Sequence, residues 1–157
     1  MIRRCTLISV GKPKGWAAEA SEDYAKRLRR YFPVNIIEVA EEDMNRSSPK
    51  EVLAAEAERI LRRLSNEAYM ISLDRENGKQ HPSEKLALKL ENLGASGRSH
   101  VAFVIGGPLG LSPDVLQRSN ELWSFGSITL PHALARIVLL EQLYRAVKIH
   151  RNEKYHW

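Results

Sequence analysis

The chain has 157 residues, enough for one substantial buried core but too few for two ordinary domains, so 1–157 reads as a single domain. Its 43% hydrophobic and 27% charged composition is that of a globular protein, and no apolar run approaches the roughly 20 residues that span a bilayer, which excludes an ordinary transmembrane helix. The 24 Lys and Arg against 19 Asp and Glu give a net +5 and a pI of about 9.5, a balance that favours a polyanionic partner through counterion release.

Residues 1–11 hold two arginines and a short apolar run at 4–10 that reads as a strand, with no small-residue cleavage site behind it. No export signal is evident, and a cytoplasmic location is expected. Cys5, the lone cysteine, has no disulfide partner and forms no ligand set with the scattered histidines; no metal is expected, and Cys5 reads as packing in the first strand. Further apolar runs at 34–40, 68–73, 100–105 and 125–130 alternate with helical patterns near 16–31, 49–65, 83–95, 112–120 and 134–149. That alternation predicts an α/β fold with a mostly parallel sheet. Ser48, Pro49 and Glu51 make a capping box at the start of the second helix, and Ser112, Pro113 and Asp114 open the fourth in the same way. Residues 76–79 read as a turn and 41–47 as a solvated loop.

The helix near 134–149 carries Leu134, Ile137, Val138, Leu139, Leu140, Leu143, Tyr144 and Val147 around more of its circumference than one core-facing stripe requires. It is expected to bury two faces, one on its own sheet and one against a second copy in a symmetric dimer. Glu141 lies among these apolar neighbours and is expected to pair with an arginine.

Two glycine-interrupted turns follow apolar runs late in the chain: Phe-Val-Ile-Gly-Gly-Pro-Leu-Gly-Leu-Ser over 103–112 and Ser-Phe-Gly-Ser-Ile-Thr-Leu-Pro over 124–131. Gly106, Gly107 and Gly110 lack a Cβ, so bare backbone can approach a flat, neutral ring closely, and Pro108 stiffens the turn. Neither turn matches the phosphate-binding Gly-x-x-x-x-Gly-Lys-Ser/Thr loop or the dinucleotide fingerprint, which removes support for phosphoryl and hydride transfer. Open α/β sheets place ligands at the carboxyl ends of their strands, and both turns are predicted to lie there.

Leu73 and Asp74, the run over 103–112, Ser-Ile-Thr-Leu-Pro-His over 127–132, Arg136, Glu-Gln-Leu-Tyr-Arg-Ala over 141–146, and Tyr155 with His156 together closely resemble the RlmH family. These are SPOUT-class methyltransferases that modify N3 of a pseudouridine in large-subunit ribosomal RNA. The resemblance covers essentially the whole chain, including the opening Leu-Ile-Ser-Val-Gly-Lys over 7–12. It implies a SPOUT-type α/β fold, a homodimer, and a carboxyl-terminal trefoil knot that general rules of chain topology would have excluded. It further implies S-adenosylmethionine as cofactor, held by backbone and apolar groups at Leu73, Gly106, Gly107, Gly126, Ser127, Ile128, Thr129, Leu130 and Pro131. Members commonly follow Tyr-His with a basic residue, whereas this chain stops at Trp157.

The residue chemistry agrees with that implication. An adenine needs an apolar slot and a few backbone donors and acceptors, and Leu73, Ile128 and Leu130 supply walls. The sulfonium already activates the methyl group, so the protein has chiefly to align the acceptor and manage one proton. The acceptor is an imide N–H. His132, beside the second glycine turn, and His156, in the tail, are alternative proton acceptors. A third alternative has Arg136 or Arg145 stabilising charge on the base oxygens while water takes the proton.

Arg145, Arg151 and Lys154, with Arg136 and Lys148, outnumber Glu141 and Glu153 over 136–157 and form a candidate RNA-facing strip. Tyr155 and Trp157 add rings able to stack on an unpaired base. The expected substrate is the assembled ribosome. Two other readings stay open: a non-catalytic RNA-binding or ribosome-assembly factor, and a SPOUT methyltransferase acting on transfer RNA.

Overall fold

The computed structural model describes residues 1–155; the expectations for His156 and Trp157 fall outside them. In chain order the elements are β1 (Arg4–Val10), α1 (Gly15–Leu28), β2 (Val34–Val39), α2 (Pro49–Arg63), β3 (Tyr69–Leu73), α3 (Ser83–Ala95), β4 (His100–Ile105), α4 (Pro113–Arg118), β5 (Glu121–Trp123) and α5 (His132–His150). The five strands pair in the order β2-β1-β4-β3-β5, and every pairing is parallel. The sheet is therefore wholly parallel rather than mostly so.

Its two faces follow from the period of two along each strand. Cys5 and Leu7 of β1, Ile71 of β3 and Val101, Phe103 and Ile105 of β4 join one apolar cluster with α1, α3 and α5. Ile8 and Val10, Met70 and Val104 point the other way, into a cluster with Ala57 and Ile60 of α2 and Val115 of α4. Burying a large aliphatic side chain contributes about 1.5–3 kcal/mol, and a sheet covered on both faces collects it from both sets. Cys5 is fully buried, and burial pushes its thiol up to about 12.

Helix entries obey local rules. Ser48 Oγ accepts from Glu51 N at 3.2 Å and donates to Glu51 Oε1 at 2.9 Å, so the carboxylate closes onto the hydroxyl. Ser112 Oγ accepts from Val115 N at 3.3 Å, with Pro113 at the first helical position. The helix expected over 16–31 ends at Leu28, and residues 29–32 leave it through turns in which Tyr31 N and Phe32 N donate to Leu28 O.

The last strand differs most from expectation. A strand was expected over 125–130, but the ladder runs only from Ile71↔Glu121 to Leu73↔Trp123. Gly126 then adopts φ +118°, a conformation no strand residue shares. The apolar residues that suggest a strand are Phe125, Ile128 and Leu130, and Ile128 is 69% exposed in a loop.

Helix α5 packs against α1 and α3 and buries Leu139, Leu140, Leu143, Ala146 and Val147. Its own chain thus covers much of its circumference. Leu134, Ile137 and Val138 stay half-buried at its amino-terminal half.

Candidate functional site

Because β4, β3 and β5 are neighbours, their carboxyl ends release three loops side by side. The turn after β4 closes through Gly110 N donating to Gly107 O at 3.0 Å, with Gly110 at φ +79°. A Cβ on Gly106 would stand 2.4 Å from Gly110 O, so this turn can close only on glycine. A Cβ on Gly107 would stand 3.1 Å from Val10 Cγ1 and 3.2 Å from Glu56 Oε1. The turn's main chain therefore rests directly on β1 and α2.

The loops after β3 and β5 are stitched together. Asp74 N donates to Trp123 O at 2.9 Å, Lys79 N to Leu122 O at 2.8 Å and Ser124 N to Lys79 O at 3.0 Å. Gly78 sits in the closest part of this seam, where a Cβ would come 2.3 Å from the Trp123 carbonyl carbon. Ser124 Oγ donates to Arg75 O and accepts from Gly126 N, each at 3.1 Å, and Arg75 Nη1 donates to Ser127 O at 3.1 Å. The seam ties the segment after Gly126 to the loop that follows Leu73, at the same end of the sheet as the turn of Gly106 and Gly107. Leu109 (40% exposed) and Ile128 present bare aliphatic surface there, while Leu73 and Leu130 are half-buried and Ser127, Thr129 and Pro131 are exposed. Uncovered aliphatic side chains beside bare glycine backbone fit a flat, neutral ring.

Sequence reasoning missed three members of this site. Gly78 lies in the turn read over 76–79 and Arg75 just before it, and Ser124 opens the second glycine run, but none of the three carried a signal of its own. Glu56 is a fourth omission. It is 2% exposed, its Oε2 accepts from Glu42 N at 3.0 Å, and among the described residues its Oε1 has no hydrogen-bond partner. Burial pushes its carboxyl above the usual range. A lone glutamate on an otherwise ordinary helix face gave no signal.

His132 and Arg136 stand at the start of α5, against the end of β1. His132 Nε2 lies 3.3 Å from where a Cβ on Gly11 would be, and Gly11 itself has φ +84°. Arg136 is buried, donates to Ser9 Oγ and to Gly11 O (3.5 Å), and lies 3.5 Å from Glu38 Oε2. Burial holds its pKa below that of a free guanidinium. It ties α5 to β1 and β2.

The tail residues stand elsewhere. Tyr155 folds back along α5, its ring 4.8 Å from Tyr144 and its hydroxyl donating to Glu141 Oε1 at 3.2 Å. Burial, before its contacts with Tyr24 and Glu141, pushes that phenol well up. Arg145 meets Glu141 at 2.6 Å, the arginine pairing expected for this glutamate, and its guanidinium lies 4.9 Å from the centre of the Tyr155 ring. Arg151 stacks on Tyr31 at 4.8 Å and reaches Glu153 at 3.7 Å, and Lys154 is exposed. Tyr144 is about 18 Å along the helix from His132, at 1.5 Å per residue. One chain thus gathers Leu73, the glycine turns, His132 and Arg136 at one end and leaves Tyr155, Arg145, Arg151 and Lys154 apart from them.

The remaining histidines have structural partners. His81 packs its ring 5.7 Å from Trp123, and burial lowers its pKa. His100 Nε2 meets Thr6 Oγ1 at 3.0 Å, and His150 lies 3.5 Å from Glu91 at the end of α5. Among the described residues no group of three His, Cys, Asp or Glu stands close enough to hold a metal ion. Two clefts have no residue of the glycine turns in their lining. One of about 360 Å³ lies between α1, β2 and Arg136, and one of about 410 Å³ is lined by Asn66, Glu67, Ala68, Tyr69, Arg98, Arg118 and Asn120. The glycine turns carry the chemical argument despite their open shape, because a ring can lie on backbone without a deep cavity.

Comparison with known proteins identifies the family. The chain is 65% identical to Ribosomal RNA large subunit methyltransferase H of Rubrobacter xylanophilus over 158 aligned positions, covering 100% of both chains. It is 46% identical to the protein of the same name from Bacillus cereus (96% and 98% of the two chains) and 44% identical to that of Bifidobacterium adolescentis (98% and 99%). Among solved structures, one described as "Probable Methyltransferase from Bordetella pertussis Tohama I" shares the fold at a TM-score of 0.57 and 17% identity, covering 92% of this chain and 95% of that one. One described as a "putative methyltransferase" from Legionella pneumophila "in complex with the bound cofactor SAM" aligns at a TM-score of 0.52 and 17% identity, covering 92% and 66%. The family model described as "Predicted SPOUT methyltransferase" matches residues 3–156, nearly the whole chain. With a wholly parallel sheet and glycine loops converging at its strand ends, the chain belongs to the SPOUT methyltransferase family.

Proposed function

We propose that this protein is an S-adenosylmethionine-dependent methyltransferase that methylates N3 of a pseudouridine in large-subunit ribosomal RNA, acting on the assembled ribosome. The observation that carries this reading is the seam joining Asp74, Arg75 and Lys79 to 122–127, which binds the loops after β3 and β5 together at the same end of the sheet from which the turn of Gly106 and Gly107 leaves β4. Leu73, Gly106, Gly107, Gly126, Ser127, Ile128, Thr129, Leu130 and Pro131 would hold the cofactor. When bound, it supplies a methyl group already activated on a sulfonium.

The chain's own residues then orient the base and move one proton. Arg136 fixes the start of α5 and so the position of His132, one of two candidate acceptors of the imide proton; His156 is the other. Alternatively, arginine charge at Arg136 or Arg145 stabilises the oxygens of the ionised base while water takes the proton. Tyr155 stacks the target base, and Arg145, Arg151 and Lys154 bind its backbone. In one chain the tail lies apart from the glycine turns, so this reading places the tail of one protomer at the cofactor loops of a partner. The half-buried Leu134, Ile137 and Val138 suit such a homodimer. A carboxyl-terminal knot, a single domain and a cytoplasmic location complete the reading.

The test is labelled methyl transfer onto ribosomes that lack the modification, followed by mapping of the modified base. Label at N3 of one pseudouridine supports the reading, and label on transfer RNA alone overturns it. Absence of transfer and of S-adenosylmethionine binding by calorimetry would leave a non-catalytic RNA-binding factor. An isolated short hairpin is expected to be a poor substrate beside the assembled particle.

A further inference from the structure

In a parallel sheet with crossover helices, the amino ends of the strands and the carboxyl ends of the helices lie together at one end of the molecule. The cofactor loops occupy the other end. Among the described residues Arg3, Arg4, Arg30, Arg63, Arg98 and Arg118 form no ion pair with a carboxylate, and every one of them lies at the amino end of the sheet. Arg3 and Arg4 open β1, Arg30 follows α1, Arg63 ends α2, Arg98 precedes β4 and Arg118 ends α4. All but Arg118 are exposed, and Arg118 is half-buried. Arginines elsewhere, such as Arg46, Arg59 and Arg75, are paired with Asp43, Glu42 and Glu76.

A helix carboxyl end attracts a cation, which accounts for Arg63 and Arg118 in the last turns of their helices. It does not account for Arg3 and Arg4 beside a strand or Arg98 in a connection. Two of these arginines also share a built concavity, the cleft of about 410 Å³. Arg98 lies 5.2 Å from the centre of the Tyr69 ring, which fixes its plane, and Tyr69 is itself held by donating to Glu121 at 2.7 Å. Arg118 spends one contact, at 3.5 Å, on Asn66 O. Asn120 accepts from Met70 N at 2.7 Å, so its amide oxygen is used and its nitrogen is the end left to donate. Glu67 is the one acid in the lining.

We propose that the amino end of the sheet, centred on the cleft between Arg98 and Arg118, docks the phosphate backbone of RNA. A planar guanidinium grips phosphate with two parallel N–H donors and is weakly hydrated, which suits a half-enclosed anion site better than ammonium does. Strands of five to seven residues set this surface about 20 Å from the cofactor loops, at 3.3 Å per residue. The surface therefore grips a part of the RNA remote from the reacting base. It rests on the ribosomal RNA reading above and extends it to a second contact, which a short hairpin could not reach.

The test compares wild type with the double variant Arg98→Gln, Arg118→Gln, using ribosomal particles and purified large-subunit RNA, with thermal unfolding to confirm folding. The expected result is a KM for ribosomes raised roughly tenfold, with kcat and S-adenosylmethionine affinity unchanged, and a log–log salt slope of RNA binding reduced by about 2. Glu67→Gln, which removes the opposing charge without touching either arginine, should tighten RNA binding. Arg46→Gln, exposed at the opposite end, should change none of these. Unchanged KM and salt slope in a folded double variant overturn the proposal, and so does a defect seen with polyglutamate but not with RNA. If wild type transfers no methyl group yet its RNA binding still falls on substitution, the methyltransferase reading fails and the docking surface stands.

Discussion

The two ends of the sheet are built from different chemistry. Where the strands finish, the chain is glycine, serine and uncovered aliphatic side chain, and its polar groups bond to one another across the seam. Where the strands begin, six arginines without carboxylate partners stand among paired ones such as Arg29 and Arg62. A parallel sheet makes this division possible because every crossover delivers its loops to the same two ends. One end can be closely fitted, its arginines Arg46 and Arg75 paired with carboxylates, while the other presents arginines that have none.

The largest expected effect tests the seam. Gly78→Ala forces a Cβ within 2.3 Å of the Trp123 carbonyl carbon and should destabilise the protein by about 3 kcal/mol in denaturant unfolding. Wild-type stability would show that 74–79 is not anchored to β5. Next, Arg136→Met removes the guanidinium from Ser9 and Glu38; the expected loss is about 2 kcal/mol, below that of a fully buried pair because Glu38 is 30% exposed. A loss under half a unit would mean that α5 is held by apolar packing alone.

Gly107→Val sharpens the contrast between fold and ligand. Its branched side chain meets Val10 and Glu56, and the displaced turn should weaken S-adenosylmethionine binding roughly 10- to 100-fold by calorimetry while the protein still unfolds cooperatively. Ser124→Ala deletes the hydroxyl shared by Arg75 O and Gly126 N and should cost about 1 kcal/mol.

The smallest effect concerns Glu56. Its carboxyl is raised in the folded state, so the ionised form opposes folding: the penalty is absent below the ordinary carboxylate range and grows as pH rises through it. Glu56→Gln should therefore raise Tm at neutral pH and leave it unchanged in acid. A gain that persists unaltered at low pH would contradict a desolvated carboxylate.

The layered fold was legible because Ser48 with Pro49, Ser112 with Pro113, and the runs over 4–10 and 100–105 all gave local signals that packing did not override. The late glycine turns were legible too, since glycine has few other reasons to cluster. The last strand was not. Three residues are too short for a period to register, and the apolar residues over 125–130 mimic a strand because they are shaped for something other than the core. The seam was invisible for a related reason: its bonds join main chain about fifty positions apart in sequence, and main-chain donors carry no sequence mark.

The central ladder joins β1 to β4, pairing Arg4 with His100, so the first strand made is held by one that arrives nearly a hundred positions later. A nascent chain shorter than that has β1 with a neighbour on one side only, beside β2. Closing so long a loop before the contact rewards it slows folding. This protein should gain its cooperative core only after about two-thirds of it has left the translation machinery, and fragments ending before residue 100 should remain protease-sensitive.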